Sequence, residues 1–168
     1  MSDNTVNGAK GTTAAQYGTE ENPVIVEVCK KRYPGSAQHI EDAQEPKGKF
    51  PKILTIARNN VENGKQADAR RKDSLHGIPT KKKYDRDEYP PAMFEQGGTG
   101  ASVKYVLASD NRGTGSSIGN QLQDFKNGTK VKIEVTDNCR KCVCTDINAE
   151  KNSNVDAILD IPSKNTQT

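Results

Sequence analysis

The sequence predicts an α+β domain built on a small antiparallel sheet, and three observations carry that expectation. Short β-branched runs, "PVIVEVC", "KILTIAR", "ASVKYVLAS" and "KVKIEV", recur between turn signals. Segments with helical spacing lie among them. Apolar residues make up only 32% of the 168-residue chain, against about 45–50% in ordinary globular chains, which leaves material for one core with flexible tails.

Residues 1–22 are rich in Gly, Thr, Asn and Ala without periodicity and read as a flexible leader. A strand follows over Pro23 to Cys29, and then Ser36 is expected to cap a short helix with Ala37, Ile40 and Ala43 on one face. A second strand spans Lys52 to Arg58. "NGKQADARRKDSL" has helical composition and is ended by Gly77 and Pro79. Pro90 and Pro91 force an extended or turning backbone after the acidic run and disfavour helix at Tyr89. Ala101 to Ser109 alternates as a strand. "DNRGTGSSIGNQLQDF" reads as a Gly-rich loop that becomes helical near Ser116, with Ile118, Leu122 and Phe125 at helical spacing. An Asn127-Gly128 turn leads into the last strand. The folded domain is therefore expected over 23–137, with a polar, cysteine-containing extension over 138–168.

Charge is mixed, 25 basic residues against 22 acidic, for a formal net charge of +3. A net charge that small does not by itself point to nucleic acid, but its distribution is uneven. The basic stretch from Lys65 to Lys83 runs directly into Asp85, Arg86, Asp87 and Glu88. A solvated helix face followed by a basic loop is the plain alternative to a phosphate-attracting rim. No stretch approaches the roughly 18 apolar residues of a membrane span, and no signal peptide is visible at the N-terminus. Cys29, Cys139, Cys142 and Cys144 are compatible with a zinc site, with a disulfide joining Cys29 to one of the other three, or with free thiols.

The acidic run and a helix carrying Asn120 and Gln121 are separated by one strand, so a strand–strand–helix unit can bring them face to face. A carboxylate at a strand edge opposite a helix amide suits a hard divalent cation, Mg²⁺ or Mn²⁺, which needs one or two protein oxygens beside water and phosphate. A neighbouring carboxylate can then take a proton from attacking water. Each residue also has a plainer role open to it: Asp87 paired with Arg86, Asn120 satisfying backbone, Ser116 and Ser117 as first-turn residues, Asn111 and Arg112 bracing their loop.

"GIPTKKKYDRDEYPPAMFEQGGTGASVKYV" followed by "SDNRGTGSSIGNQL", with "RYPGSAQHIEDAQ" and "ADARRKDSLHGIPT" upstream, resembles the deoxyribonuclease NucA/NucB family over residues 32–135. That family is similar to the ββα-metal (His-Me finger-like) nucleases, whose wider members carry Asp-Arg-Gly-His where this chain has Asp85-Arg86-Asp87-Glu88. The resemblance implies a carboxylate base, Glu88 or Asp87, with Arg86 contacting phosphate and Asp85 orienting its surroundings. It implies Asn120, 32 positions after Glu88, as a metal ligand beside Asp87, Glu88 and, more weakly, Gln121. Phosphate contacts are expected from Arg112, Asn111, Ser116, Ser117 and Lys83. A Glu near its unperturbed ~4.3 is a weaker base than a His near ~6.5, so burial, Asp87 or the metal must compensate. His39 and His76 fall outside the matched motifs and are expected to be bystanders. Cysteines carried by some secreted members are replaced here by Leu54 and Phe94.

The function implied is a metal-dependent endonuclease that cuts DNA with little sequence preference, gripping the backbone through Lys81, Lys82, Lys83, Arg86 and Arg112. It is expected to act as a monomer, secreted or as the toxic domain of an exported effector, the latter implying an acidic immunity partner. A catalytically inactive binding module of the same fold, and a small metal or redox protein centred on "CRKCVC", are the rival expectations.

Overall fold

The computed structural model describes residues 17–44, 49–62, 64–137, 139 and 158–159. Three of the β-branched runs form β1 (Val24–Cys29), β2 (Ile53–Thr55) and β5 (Lys130–Thr136), one sheet in the order β1-β5-β2. β5 lies between the others, parallel to β1 and antiparallel to β2. The second sheet is antiparallel and ordered β3-β4-β6, from β3 (Tyr84–Tyr89), β4 (Ser102–Leu107) and β6 (Ile158–Leu159). Helices α1 (Pro34–Gln44), α2 (Gln66–Ser74) and α3 (Ala108–Leu122) complete the α+β class that the sequence predicts.

The core follows from strand and helix periodicity. Val26 and Val28 of β1, Val131 and Ile133 of β5, and Leu54 and Ile56 turn inward with Tyr89 and Phe94. Ala37, Ile40 and Ala43 of α1 and Ile118 and Leu122 of α3 cover them. Burying one such large aliphatic side chain contributes about 1.5–3 kcal/mol. Leu54 and Phe94 are both fully buried in this cluster, so packing holds the chain there.

Helix starts depart from the sequence-based expectations. α1 begins at Pro34 rather than after Ser36, with proline in the first turn where its missing N–H costs nothing. Its free N–H groups are met by another helix: Asp110 of α3 accepts from Gly35 N at 2.7 Å and Ser36 N at 3.3 Å. α2 is met in the same way by Asn59 Oδ1, which accepts from Ala67 N at 2.8 Å and Asp68 N at 3.3 Å. α3 begins at Ala108, eight positions before Ser116, so "SDNRGTG" is helix and not loop. Gly113 is there for close approach, since a Cβ on it would lie 2.4 Å from Tyr33 Cε1.

The chain ends are partly tied to the domain. Lys130 N donates to Gly18 O at 2.8 Å, so residues 17–22 of the expected leader dock against β5, while 1–16 lie outside the described residues. Ile158 and Leu159, inside the expected extension, pair with Val106 and Tyr105 of β4. Cys29 and Cys139 form a disulfide across 110 positions of sequence, one of the alternatives open for the cysteines; Cys142 and Cys144 lie outside the described residues.

Candidate active site

"YDRDEY" is itself a strand, and an edge one, although Asp and Glu are depleted in strands. Pairing with β4 from Tyr84–Leu107 to Tyr89–Ser102 holds it extended. Alternation sends neighbouring side chains to opposite faces. On one face Asp85 meets α3 and Asp87 meets α1; on the other, Arg86 and Glu88 turn to α2 and the segment after it. A cleft of about 530 Å³ wraps this edge, lined by Asp85 to Glu88, by Arg71 of α2, and by Asn111, Thr114 and Ile118 of α3.

Each carboxylate has a different environment. Asp85 takes a bidentate grip from Arg112, Nε to Oδ2 at 2.8 Å and Nη2 to Oδ1 at 3.1 Å, and Asn111 Nδ2 donates to it at 3.5 Å. Those hydrogen bonds from Arg112 hold the Asp85 carboxyl below the usual carboxylate range, against an opposing push from burial. Glu88 is 8% exposed; it accepts from Ser74 Oγ, and Arg71 Nε lies 3.3 Å from Oε2. Burial pushes the Glu88 carboxyl up, opposed by the Ser74 hydroxyl and the Arg71 charge and reinforced by the negative charge of Asp87. Asp87 is engaged at one oxygen only: His39 Nδ1 sits 2.9 Å from Oδ2, and Oδ1 has no hydrogen-bond partner among the described residues. Arg86 donates to Ile78 O at 2.7 Å and braces the loop after α2.

Asn120 and Gln121, expected to group with the carboxylates, do not line this cleft. Gln121 is committed to β1, its Oε1 accepting from Glu27 N at 3.0 Å and its Nε2 donating to Glu27 O at 2.9 Å. Asn120, Ser116 and Ser117 line a separate recess of about 370 Å³ with Glu27, Arg32, Tyr33 and Cys139. At about 100° per residue, the nine positions from Asn111 to Asn120 come to about 900°, two and a half turns, which puts the two amides on opposite sides of the helix. Asn111 is the helix amide that shares the cleft with Asp87 and Glu88.

Of the other expected contacts, Arg112 is paired with Asp85 yet remains 74% exposed. Lys83 is exposed, in the left-handed region with φ 73°, and its carbonyl accepts from Ala108 N at the start of α3. Lys81 Nζ lies over the rings of Tyr84 and Tyr105 at 5.3 and 5.7 Å. His39, expected to be a bystander, is fully buried and bonded to Asp87. Arg71 and Ser74 were likewise not singled out by sequence. The cue available for both was helical: Arg71, Ser74 and Leu75 are one turn apart at the end of α2 and share a face.

Among the described residues no group of three or more His, Cys, Asp or Glu side chains could hold a metal ion. That excludes a cage of the zinc type there, but Mg²⁺ keeps several waters and uses one or two protein oxygens. With Asp85 neutralised by Arg112, the donor set left in the cleft is Asp87, Glu88 and the Oδ1 of Asn111. Such an all-oxygen, partly anionic set fits a hard, hydrated cation.

This chain belongs to the deoxyribonuclease NucA/NucB family. Residues 48–134 match the model of that family. The DNA-entry nuclease of Bacillus subtilis (strain 168) is 47% identical to this chain over 104 residues. The match takes in 62% of this chain and 65% of that protein.

Proposed function

We propose that this chain is a metal-dependent endonuclease that hydrolyses DNA phosphodiesters with little sequence preference, and that Asp87 takes the proton from the attacking water. The observation that carries the assignment is the contrast among the three carboxylates. Asp85 is neutralised by Arg112 and Glu88 is bonded to Ser74 beside Arg71, whereas Asp87 keeps Oδ1 without a partner among the described residues. Family membership and the likeness to a DNA-entry nuclease support the substrate.

In this reading Asn111, with water and the substrate phosphate, would hold Mg²⁺ or Mn²⁺ on the Asp87 face of β3, and Glu88, turned to α2 on the other face, would add negative charge to the cleft. Such an ion, when bound, would supply charge stabilisation to the phosphate undergoing cleavage. Water loses a proton to Asp87 Oδ1 as its oxygen bonds to phosphorus, and the scissile P–O bond breaks with its electron pair on the sugar oxygen, which takes a proton from solvent. Arg112 and Arg71, both largely exposed beside the carboxylates, grip the flanking phosphates together with Lys81, Lys82 and Lys83. Phosphate contacts carry no base information, so weak sequence preference follows. The Cys29–Cys139 disulfide supports an oxidising place of action, secreted or delivered by export. Among the described residues no helix is long and apolar enough to cross a membrane. The exposed Lys81–Lys83 rim is the surface an acidic immunity protein would cover.

Plasmid nicking with Mg²⁺ or Mn²⁺, with and without EDTA, tests the proposal. Metal-dependent cleavage is expected from the native chain, with kcat lower by about 10²–10⁴-fold in Asp87→Ala, the range of a lost general base. A folded native chain that cuts with neither metal would leave the inactive binding module in its place.

A further inference from the structure

We propose that His39 is a positioning residue for the reaction, one that fixes the Asp87 carboxylate with Oδ1 turned to the cleft; this rests on the assignment of Asp87 as proton acceptor. His39 is 0% exposed and cannot itself touch substrate. Both its ring nitrogens are engaged: Nδ1 with Asp87 Oδ2 at 2.9 Å and Nε2 with Ser102 Oγ at 2.9 Å. It lies on α1 among the packed Ala37, Ile40 and Ala43, and α1 is itself held by the Asp110 carboxylate at its N-terminus. Ser102 opens β4 and stands opposite Tyr89, so the imidazole ties a rigid helix to both strands of the β3–β4 pair.

The chemistry of these groups sets the direction of the chain. An ionised carboxylate only accepts, so Nδ1 carries the proton it shares with Asp87. Nε2 then accepts the Ser102 hydroxyl proton when the ring is neutral. A carboxylate held at one oxygen cannot rotate about its Cβ–Cγ bond, which leaves the other oxygen aimed at one place. During the reaction the water proton passes to Oδ1, while Oδ2 continues to accept from Nδ1–H. No proton crosses His39. For shape alone a buried apolar side chain would serve here without two polar atoms that must each be paired. The spacing therefore assigns to His39 a role at Asp87.

The test measures kcat and KM for cleavage of a fluorogenic duplex oligonucleotide at fixed Mg²⁺, using the full chain and rates normalised to the folded fraction. In His39→Asn the amide nitrogen can still donate from near the Nδ1 position, whereas in His39→Gln it falls near Nε2 and the bond to Asp87 is lost. His39→Gln is expected to lower kcat about 100-fold with KM within about twofold, the cost of a misplaced reacting group, and His39→Asn to lose about tenfold or less. A purely structural role would not separate the two amides in kcat at equal folded fraction. Equal kcat losses in both, or a native kcat in His39→Gln, would overturn the inference. If neither variant folds, Ser102→Ala reads the same chain from its far end: kcat falls severalfold at unchanged KM, and an unaltered kcat refutes the role. Asp87→Ala separates the two levels. Should it be inactive while His39→Gln is native-like, only the role of His39 fails; should Asp87→Ala keep native kcat, the proton-acceptor assignment fails with it.

Discussion

Glu88 is held between Ser74 and Arg71, and burial raises its pKa from an ordinary value of 4.5. The sign of its pH dependence follows. A group with a raised folded pKa contributes stability that is fully present below the unfolded value and lost as pH rises through the folded one. In the metal-free protein, Glu88→Gln is therefore expected to melt higher than the native chain at pH 7, with the difference closing as pH falls toward 4.5. Thermal melts in EDTA across that range check it, and a lower melting point for Glu88→Gln at pH 7 would mean that the charged form is the stabilising one. Asp85 behaves oppositely: its lowered pKa stabilises the fold above the ordinary 3.8 and the benefit disappears in acid. The acidic run was legible as chemistry because four charges in succession have few other uses. Its division of labour was not. That depends on Arg112, His39 and Ser74, which lie between 14 and 48 positions away from their partners, and no local pattern shows which of them arrives.

At the scale of elements, strands were the easier part, because β-branched alternation states both type and face. α3 was harder. Gly113 and Gly115 within "NRGTGSS" have the composition of a loop, and helix propensity would place the boundary after them. Packing overrides that preference, because Gly113 lets α3 approach Tyr33. The same helix sends Asp110 to the start of α1, where it is buried and accepts from Gly35 and Ser36. Asp110→Ala leaves those two N–H groups unpaired away from water and is expected to cost about 1–3 kcal/mol. Because α1 carries His39, faster amide exchange in α1 and a lower kcat should accompany the lost stability. Unchanged exchange there would show that α1 does not depend on this contact.

For the whole molecule, the disulfide between Cys29 and Cys139 closes a loop holding nearly every described element. Such a crosslink restricts the unfolded chain more than the folded one, typically by about 2–4 kcal/mol. Cys29→Ser is expected to lower the denaturant midpoint accordingly without moving the active-site cleft, and an unaltered midpoint would show that the crosslink adds nothing to the fold. Its existence was legible only as one alternative among three, since spacing within "CRKCVC" does not reveal that β1 and β5 run parallel and end side by side. The arrangement of the same elements brings α1 and α3 onto one face of β3 and α2 onto the other, so that three distant segments complete a site whose acidic strand alone was conspicuous. The central claim is that the cleft works through Asp87 with Asn111, and not with Asn120. Metal-dependent plasmid cleavage by Asn111→Ala beside Asn120→Ala tests it most directly. Loss of about 10²-fold or more in Asn111→Ala, with Asn120→Ala within about threefold of native, is the predicted result. Activity kept in Asn111→Ala and lost in a folded Asn120→Ala would contradict it.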